Sequence, residues 1–326
     1  MTDRLRSSDS ARHSVSSVCR LLGVSKQAFY KHVDVQLTRL SLEGFVVEFI
    51  QEIRSKDPGI GGSKLWHMYR KRFGEKYSVG YNRFYDIIEL YGLKVRRRKR
   101  RTSTTDSRHG LPLYPDLTRE LLPSRPCQLI ASDITYIPLE SDGCFCFLSL
   151  VTDCYSREIV GDSLETRYPL EALEMALRRY EGEELSQLIH HSDRGLQYAS
   201  FAYTGLLKSH GVRISMTERG NPKDNAIAER VNSTIKNELL RGMSFNNVED
   251  VRRAVAKAVD FYNNERPHWS IDGMTPAQAS KCSGEISKKW TSYRDIAIKA
   301  NEAKVSGGAL CVQPAGCTHM SSQLRQ

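Results

Sequence analysis

Apolar residues are spaced as helical faces in the first third of this chain, and the pattern changes to short apolar runs after it. Between residues 15 and 93 the spacing is three or four, which is the period of a helix with one buried face. The first face covers residues 15–22, Gly23 interrupts it, and Ser25 is a suitable N-cap for a second helix through His32. Two helices joined by a glycine-containing turn are typical of a helix-turn-helix unit, although an ordinary helical hairpin has the same pattern.

Residues 42–93 continue the helical period in three further segments. The dipeptide Pro58-Gly59 and the stretch from Ser78 to Gly80 separate these segments. Their apolar faces consist of Phe45, Phe49 and Ile53, of Leu65, Met68, Tyr69 and Phe73, and of Phe84, Ile87, Ile88 and Tyr91. Three short helices around one small core suggest a second unit of the helix-turn-helix or winged-helix type.

A run of basic residues follows these helices directly. Seven of the eight residues in KVRRRKRR, positions 94–101, carry positive charge. Such a run contacts DNA phosphates without reading bases, although a plain charged linker has the same composition. The candidate DNA-binding residues of the run are Arg96, Arg97, Arg98, Lys99, Arg100 and Arg101. Residues 102–123 are rich in Ser, Thr and Pro, show no period and are interpreted as a linker.

From Pro126 the helical period gives way to short apolar runs that are typical of strands. Strands are predicted at 128–138, 144–156, 157–165, 188–191 and 213–216, with a hairpin turn at 141–143 and helices that begin at 169, at 199 and before Glu229. This order predicts three antiparallel strands followed by parallel additions, with helices on the faces. It is the ribonuclease H-like order, so the predicted fold class is α/β with an all-α helix-turn-helix region at the N-terminus.

The pattern divides the chain into five segments. They are a polar tail with the first helix-turn-helix (1–40), a helix-turn-helix-like DNA-binding domain that ends in the basic run (41–101), the linker (102–123), a ribonuclease H-like catalytic core (124–280) and a tail without periodicity (281–326). The core includes a last helix that starts after Asn247 and ends before Pro267.

Charge is concentrated in the N-terminal third. The 326 residues have a net charge of +10, whereas residues 1–110 alone hold 23 basic and 11 acidic residues, a net of +12. A one-sided basic excess points to nucleic acid, and double-stranded DNA is the expected partner. No apolar run approaches the roughly 20 residues of a membrane span, and the N-terminus lacks the apolar core of a secretory signal. We therefore expect a cytoplasmic protein associated with the bacterial nucleoid.

Three acidic residues of the core are the candidates for catalysis. Asp133 lies in the first predicted strand, Asp193 ends the fourth strand 60 positions later, and 35 residues separate Asp193 from Glu229. Carboxylates at the ends of such strands suit Mg²⁺ or Mn²⁺. Two such ions about 3.5–4 Å apart can serve both the nucleophile and the leaving oxygen in phosphodiester cleavage. We expect the three acids to form one metal-binding site for two ions, although each residue taken singly also suits a structural role.

The helix that carries Glu229 is amphipathic. Its polar stripe consists of Asn225, Glu229, Asn232 and Lys236, and its apolar stripe of Ile227, Val231, Ile235 and Leu239. Glu229 is therefore expected to face away from the packing side, with Lys236 two turns further on the same side. A lysine there would contact the DNA backbone, although an ordinary surface helix with an acid and a base has the same pattern.

Four segments resemble the retroviral-integrase-like transposases of bacterial insertion sequences, specifically the second-reading-frame product of the insertion sequence three family. They are SDITYIPL, IHHSDRGLQYAS, the D-N-A-x-x-E of 224–229 and FYNNERPHWSIDGMTPAQA. The resemblance implies a metal-dependent DNA transposase that cleaves the ends of its element and transfers the freed 3′-OH. It also implies Asp133, Asp193 and Glu229 as the catalytic triad and Lys236 as the basic residue that follows. Retroviral integrases also carry a His/Cys zinc domain, which is not expected here because the chain lacks paired cysteines.

The resemblance extends to partners. In the family an upstream reading frame supplies a helix-turn-helix and a leucine zipper, so a first-frame product or fusion is an expected partner. Joining two DNA ends implies a homo-oligomer, at least a dimer. One alternative function is a helix-turn-helix DNA-binding protein with an inactive ribonuclease H-like domain, against which the three acids argue. Another is a different ribonuclease H-like nuclease, against which the segment RPHWSIDGMTP and the basic N-terminal helices argue.

Overall fold

The computed structural model describes residues 14–74, 77–95, 110–140, 144–164, 169–218 and 225–307. The chain forms a helical unit and a sheet unit. The helical unit comprises Met1–Ser103, Ser233–Phe245 and Glu249–Phe261, and the sheet unit comprises Thr104–Asn232, Asn246–Val248 and Tyr262–Gln326. Within the described ranges, none of the helices has the length and apolar character needed to cross a membrane.

The helical unit begins with the predicted pair of helices. α1 spans Val15–Leu21 and α2 spans Lys26–Lys56. Ser25 caps α2 as predicted, because its hydroxyl accepts a hydrogen bond from the backbone N–H of Ala28 at 3.1 Å. Gly23 lies between the helices with a φ of 67°, a left-handed conformation that glycine adopts without strain.

The prediction that the second helix ends near His32 is wrong, because α2 continues for 31 residues. No proline interrupts it, and it tolerates Gly44 at a cost of about 1 kcal/mol. The segment boundary predicted between residues 40 and 41 therefore falls inside one helix.

Two further helices complete the core of this unit. α3 spans Gly62–Phe73 and buries Leu65 and Tyr69 of its predicted face, and α4 spans Tyr81–Leu90 and buries Phe84, Ile87 and Ile88. Tyr91, predicted as part of the α4 face, follows the helix and is exposed. Buried Glu43 of α2 forms an ion pair with Arg83 of α4 and accepts a hydrogen bond from the Tyr91 hydroxyl at 3.2 Å. A buried carboxylate needs such partners, so these contacts fix α4 against α2.

The sheet unit contains five strands in the order β3-β2-β1-β4-β5. The strands are β1 (Leu129–Pro138), β2 (Phe145–Asp153), β3 (Ile159–Ser163), β4 (Ile189–Ser192) and β5 (Arg213–Met216). β1, β2 and β3 pair antiparallel, whereas β4 pairs parallel with both β1 and β5. This topology confirms the ribonuclease H-like order and the mixed α/β class. The hairpin turn predicted at 141–143 lies outside the described residues.

Helices cover both faces of the sheet. The remaining helices are α5 (Leu170–Arg179), α6 (Leu196–Ala199), α7 (Phe201–Ser209), α8 (Ala226–Thr234), α9 (Val248–Asn264), α10 (Pro276–Ala279) and α11 (Tyr293–Gly307). One face, which includes Ile130, packs against α5 and α7 in the larger apolar cluster. The opposite face, which includes Leu129, packs against α8 in a smaller cluster. The alternation of strand residues thus sends successive side chains into two separate cores.

Part of the predicted linker is built into the sheet unit. Leu111 and Tyr114 pack on the larger cluster, and Leu117 packs on the smaller one. The backbone N–H of Leu117 donates to the Ser215 hydroxyl at 2.9 Å, which attaches this segment to β5. The prediction of a linker over 102–123 is therefore wrong for residues 110–121, because their scattered apolar side chains have partners on the sheet.

The prediction of a tail without structure over 281–326 is wrong for α11. Ser292 begins this helix by accepting a hydrogen bond from the backbone N–H of Ile296 at 3.1 Å. Ile298 is buried whereas Ile296 is exposed, so the helix lacks a continuous apolar stripe. The spacing of apolar residues therefore gave no helical signal in this segment.

Candidate active site

The two candidate aspartates come from neighbouring parallel strands. β1 and β4 pair with a constant offset of 60 positions, in the register Leu129 with Ile189, Ile130 with His190 and Ala131 with His191. Asp133 and Asp193 are separated by the same 60 positions, so both come two residues after the last pair of this register. Because strand side chains alternate, both belong to the face that carries Leu129 and Ile189.

Helix α8 lies on that face. Ala228 of α8 packs in one apolar cluster with Leu129, Ala131 and Ile189. This packing brings the helix that carries Glu229 onto the strands that carry the aspartates. Glu229 itself is exposed.

Two asparagines attach α8 to β1. The side-chain amide of Asn225 donates to the carbonyl of Ser132 at 2.9 Å, and that of Asn232 donates to the Asp133 carboxylate at 2.9 Å. Both asparagines are buried. The prediction that the polar stripe of this helix faces away from the packing side is therefore wrong for them, because their partners are polar groups of the adjacent strand.

The pKa of Asp133 is affected by the other two acids, which shows that the three lie near one another. Burial, as the largest cause, and the charges of Asp193 and Glu229 together raise the pKa of Asp133 to about 7, against the lowering effect of the hydrogen bond from Asn232. A carboxyl group under the combined influence of burial and two like charges is typical of a site that binds cations.

The side chains of the three acids do not converge on a single point. Among the residues that the structure describes, no three Asp, Glu, His or Cys side chains converge closely enough to hold one ion. The structure therefore places Asp133, Asp193 and Glu229 on one face and within reach of each other's charge, without forming a three-carboxylate cage.

Lys236 does not continue the α-helix of Glu229. α8 ends at Thr234, and Ile235–Leu239 form a π-helical turn. A π turn holds more residues than an α turn, so the predicted spacing of two regular turns between Glu229 and Lys236 is wrong. Lys236 is half-buried, and burial lowers the pKa of its ammonium group.

The loop after β4 fixes the backbone around Asp193. The Asp193 carboxylate accepts a hydrogen bond from the backbone N–H of Gly195 at 2.9 Å. Arg194 donates from Nε to the carbonyl of Thr217 at 2.6 Å and so ties the end of β4 to the end of β5. These contacts hold the chain direction at the point where Asp193 leaves the sheet.

The two histidines before Asp193 are bound in the interior. Nε2 of His190 lies 2.8 Å from the hydroxyls of both Ser132 and Tyr203, and burial lowers the pKa of His190 to about 3. His190 is therefore neutral at physiological pH. His191 lies on the other face, with Nδ1 2.8 Å from the Ser215 hydroxyl.

Tyr198 is a neighbour of the site that the sequence pattern did not reveal. It is buried on α6, and burial, Tyr203 and the charges of Asp133 and Asp193 raise the pKa of its phenol. The phenol is therefore protonated and contributes no charge to the site.

Asp153, a fourth acid of the sheet, has a structural role. Its carboxylate is fully buried and accepts five hydrogen bonds, from Cys127 N, Tyr155 N, Ser156 N, Ser156 Oγ and Tyr180 Oη. With its lone pairs occupied in this way, Asp153 stabilises the turn that connects β2 to β3.

The other DNA-binding candidates, Arg96, Arg97, Arg98, Lys99, Arg100 and Arg101, lie outside the described residues. Lys94, which precedes them, forms an ion pair with Glu89 at 2.6 Å.

Comparison with known proteins gives matches over most of the chain. Two families, both described as integrase core domain, match residues 123–222 and 210–276. A transposase for insertion sequence element IS629 from Shigella sonnei is 30% identical over 86% of this chain and 95% of its own length. Transposase InsF for insertion sequence IS3A from Escherichia coli is 29% identical over 82% of this chain and 94% of its own length. A solved structure of the HTLV-2 integrase catalytic core domain in complex with magnesium is 18% identical, with a TM-score of 0.38 over 49% of this chain and 99% of that one.

Proposed function

Since the chain belongs to the insertion sequence three family of DNA transposases with an integrase-like core, we propose that Asp133, Asp193 and Glu229 are its catalytic residues. The observation that carries this assignment is the offset of 60 positions between β1 and β4, which equals the separation of the two aspartates. The packing of α8 on the same face supports Glu229 as the third member.

Integrase-core enzymes depend on a divalent metal, and the donor chemistry of the three acids suits one. All the proposed ligands are carboxylate oxygens, which Mg²⁺ and Mn²⁺ prefer. Burial is the largest cause of the raised pKa of Asp133, about 7, and the like charges of Asp193 and Glu229 add to it; a bound cation would offset both effects. We propose two ions per site, which would neutralise the charge on the attacking and leaving oxygens.

The reaction joins two phosphodiester exchanges at one site. In the first, a water oxygen forms a bond to phosphorus at the end of the element, the bond to the 3′ oxygen breaks, and that oxygen leaves as a free 3′-OH. In the second, this hydroxyl attacks a phosphodiester of the target strand and releases a new 3′-OH there. The roles of this chain are to hold the acids on one face through β1, β4 and α8, and to keep neighbouring groups such as His190 and Tyr198 uncharged.

Other parts of the chain bind the DNA. The net charge of +12 over residues 1–110 supports contact with phosphates, and we assign this to Arg96, Arg97, Arg98, Lys99, Arg100 and Arg101 together with the N-terminal helices. Lys236 is proposed as a further backbone contact. Joining two ends requires at least a homodimer, and a first-frame product or fusion is a proposed partner. The enzyme would act in the cytoplasm, where bacterial DNA lies.

The test uses the full chain and duplexes that carry the terminal repeats of its own element. In Mg²⁺ or Mn²⁺, Asp193→Asn and Glu229→Gln are expected to lower cleavage and strand transfer by about 10³-fold or more, because a carboxylate ligand contributes several kcal/mol. Binding to the same duplex, measured by fluorescence anisotropy, should be retained. Glu249→Gln serves as the matched control, since Glu249 is an exposed acid paired with Arg252. Strand transfer at the wild-type rate in either catalytic variant would overturn the assignment.

A further inference from the structure

Asn225 and Asn232 each donate a hydrogen bond to β1, and these two hydrogen bonds are the ties between α8 and the strand. The two asparagines are seven residues apart, about two helical turns, and their partners Ser132 and Asp133 are consecutive on the strand. Asn225 also begins the helix, because its carbonyl accepts a hydrogen bond from the backbone N–H of Glu229 at 3.1 Å. The two ties therefore hold the first two turns of α8 to one point of the strand.

The chemistry of the partners fixes the orientation of both side chains. A backbone carbonyl and an ionised carboxylate can only accept hydrogen bonds, so the NH₂ group of each asparagine must face β1. The Oδ1 atoms of Asn225 and Asn232 then have no hydrogen-bond partner in the described part of the chain. Both side chains are more than nine-tenths buried, so each amide is held in place by its hydrogen bond to β1.

Glu229 lies between the two ties. Positions 225, 229 and 232 are spaced by four and three, which places them on one face of the helix. A slip of α8 by one residue would rotate Glu229 by about 100° around the helix axis and away from Asp133. The tie to Asp133 also occupies its Oδ2 atom and so limits the rotation of this carboxylate.

We propose that Asn225 and Asn232 are positioning residues that set Glu229 and Asp133 in register for metal binding. They act through the two carboxylates. This inference rests on the proposed catalytic triad, because the ties matter only if the two acids share a site.

The test measures Mn²⁺ affinity by electron paramagnetic resonance on the full chain without DNA, and cleavage separately. Asn232→Leu removes the donor at similar size. Asn225→Asp has a similar size but, when ionised, cannot donate to the Ser132 carbonyl. Each is expected to weaken Mn²⁺ binding about 10- to 100-fold, the usual effect of losing a group that orients a ligand. Asn232→Gln, which retains the amide, should recover part of the affinity.

Asn237→Leu is the matched control, since Asn237 is exposed and bonds only locally to Ser233 among the contacts described. Circular dichroism and melting temperature verify folding, and Asn232→Ser replaces the leucine variant if that one fails to fold. Wild-type Mn²⁺ affinity in the Asn225 and Asn232 variants, with loss in Asp133→Asn, would overturn this inference alone. Wild-type affinity in Asp133→Asn as well would overturn the proposed triad. An equal loss in the Asn237 variant would also contradict a positioning role.

Discussion

The Asn232 side chain donates a hydrogen bond of 2.9 Å to the Asp133 carboxylate, and this contact opposes the effects that raise the pKa of Asp133. Burial is the largest of those effects, and the charges of Asp193 and Glu229 add to it. The protein thus holds an acid where its ionised form is unfavourable without a cation. Catalytic sites commonly trade stability for function in this way.

Asp133→Asn should stabilise the metal-free protein above pH 7. The folded pKa of Asp133 is about 7, above the unfolded value, so its contribution to stability is fully present below the unfolded pKa and is lost as pH rises through 7. Asparagine keeps an acceptor for Asn232 and cannot ionise. We expect a gain of about 2 kcal/mol at pH 8, less than the full shift at 1.36 kcal/mol per unit because Asp133 is partly exposed. Urea unfolding in EDTA at pH 5 and pH 8 measures this gain in unfolding free energy. A variant that is less stable than wild type at pH 8 would contradict the prediction.

His190 should make the fold sensitive to acid. Its folded pKa is about 3, below the unfolded value, because burial disfavours the imidazolium form. Between pH 6.5 and 3 the unfolded chain binds a proton that the folded chain does not, so stability falls as pH falls. The contribution lost at pH 5 is about 2 kcal/mol.

His190→Gln should remove this dependence. Urea titrations give the unfolding free energy at pH 8 and at pH 5, and the quantity to compare is the change between them. The variant loses some packing at both pH values, and this loss cancels in the change. Taking this difference for wild type and variant cancels the opposite dependence from Asp133. His210→Gln is the control, because His210 is exposed. Equal pH dependence in wild type and His190→Gln would show that His190 is not buried in its neutral form.

Asp153→Asn should lower stability without a direct effect on chemistry. The carboxylate accepts five hydrogen bonds, and an amide can accept at one oxygen only, so donors such as Tyr180 would lose their partner. We expect a loss of about 3 kcal/mol in the free energy of unfolding. At temperatures where the variant is folded, cleavage per folded molecule should match wild type. A loss of cleavage with unchanged stability would instead place Asp153 among the metal ligands.

The strands could be predicted from the sequence because short apolar runs bounded by turn residues mark them. The aspartate pair could be predicted because the separation of 60 positions between Asp133 and Asp193 equals the register of β1 and β4. The ties from Asn225 and Asn232 could not be predicted, although both residues stood out in the polar stripe. Hydropathy separates polar from apolar faces, but it does not reveal that the neighbouring strand presents polar groups of its own.

The other features that the sequence pattern did not predict have the same physical origin. Residues 110–121 lack a period because they lie across the sheet edge, and single apolar side chains such as Leu117 find separate partners. The π turn at Ile235–Leu239 changes the helical phase without any change in the apolar pattern. Tertiary contacts decide these features, and a single sequence records them weakly.

Gly161→Ala should be among the most destabilising single-methyl changes in the sheet unit. Gly161 lies on β3 where α5 approaches closely, and a Cβ atom there would come within 1.9 Å of the carbonyl oxygen of Ala172. Relief requires β3 and α5 to separate, so we expect a loss of about 3 kcal/mol in the free energy of unfolding. Gly205→Ala on α7 is the matched control, because no atom lies within 4 Å of its added methyl group. Helix propensity should make that variant more stable by about 0.5–1 kcal/mol. Urea unfolding measures the unfolding free energy of both variants. Equal values would mean that β3 and α5 are not in such close contact.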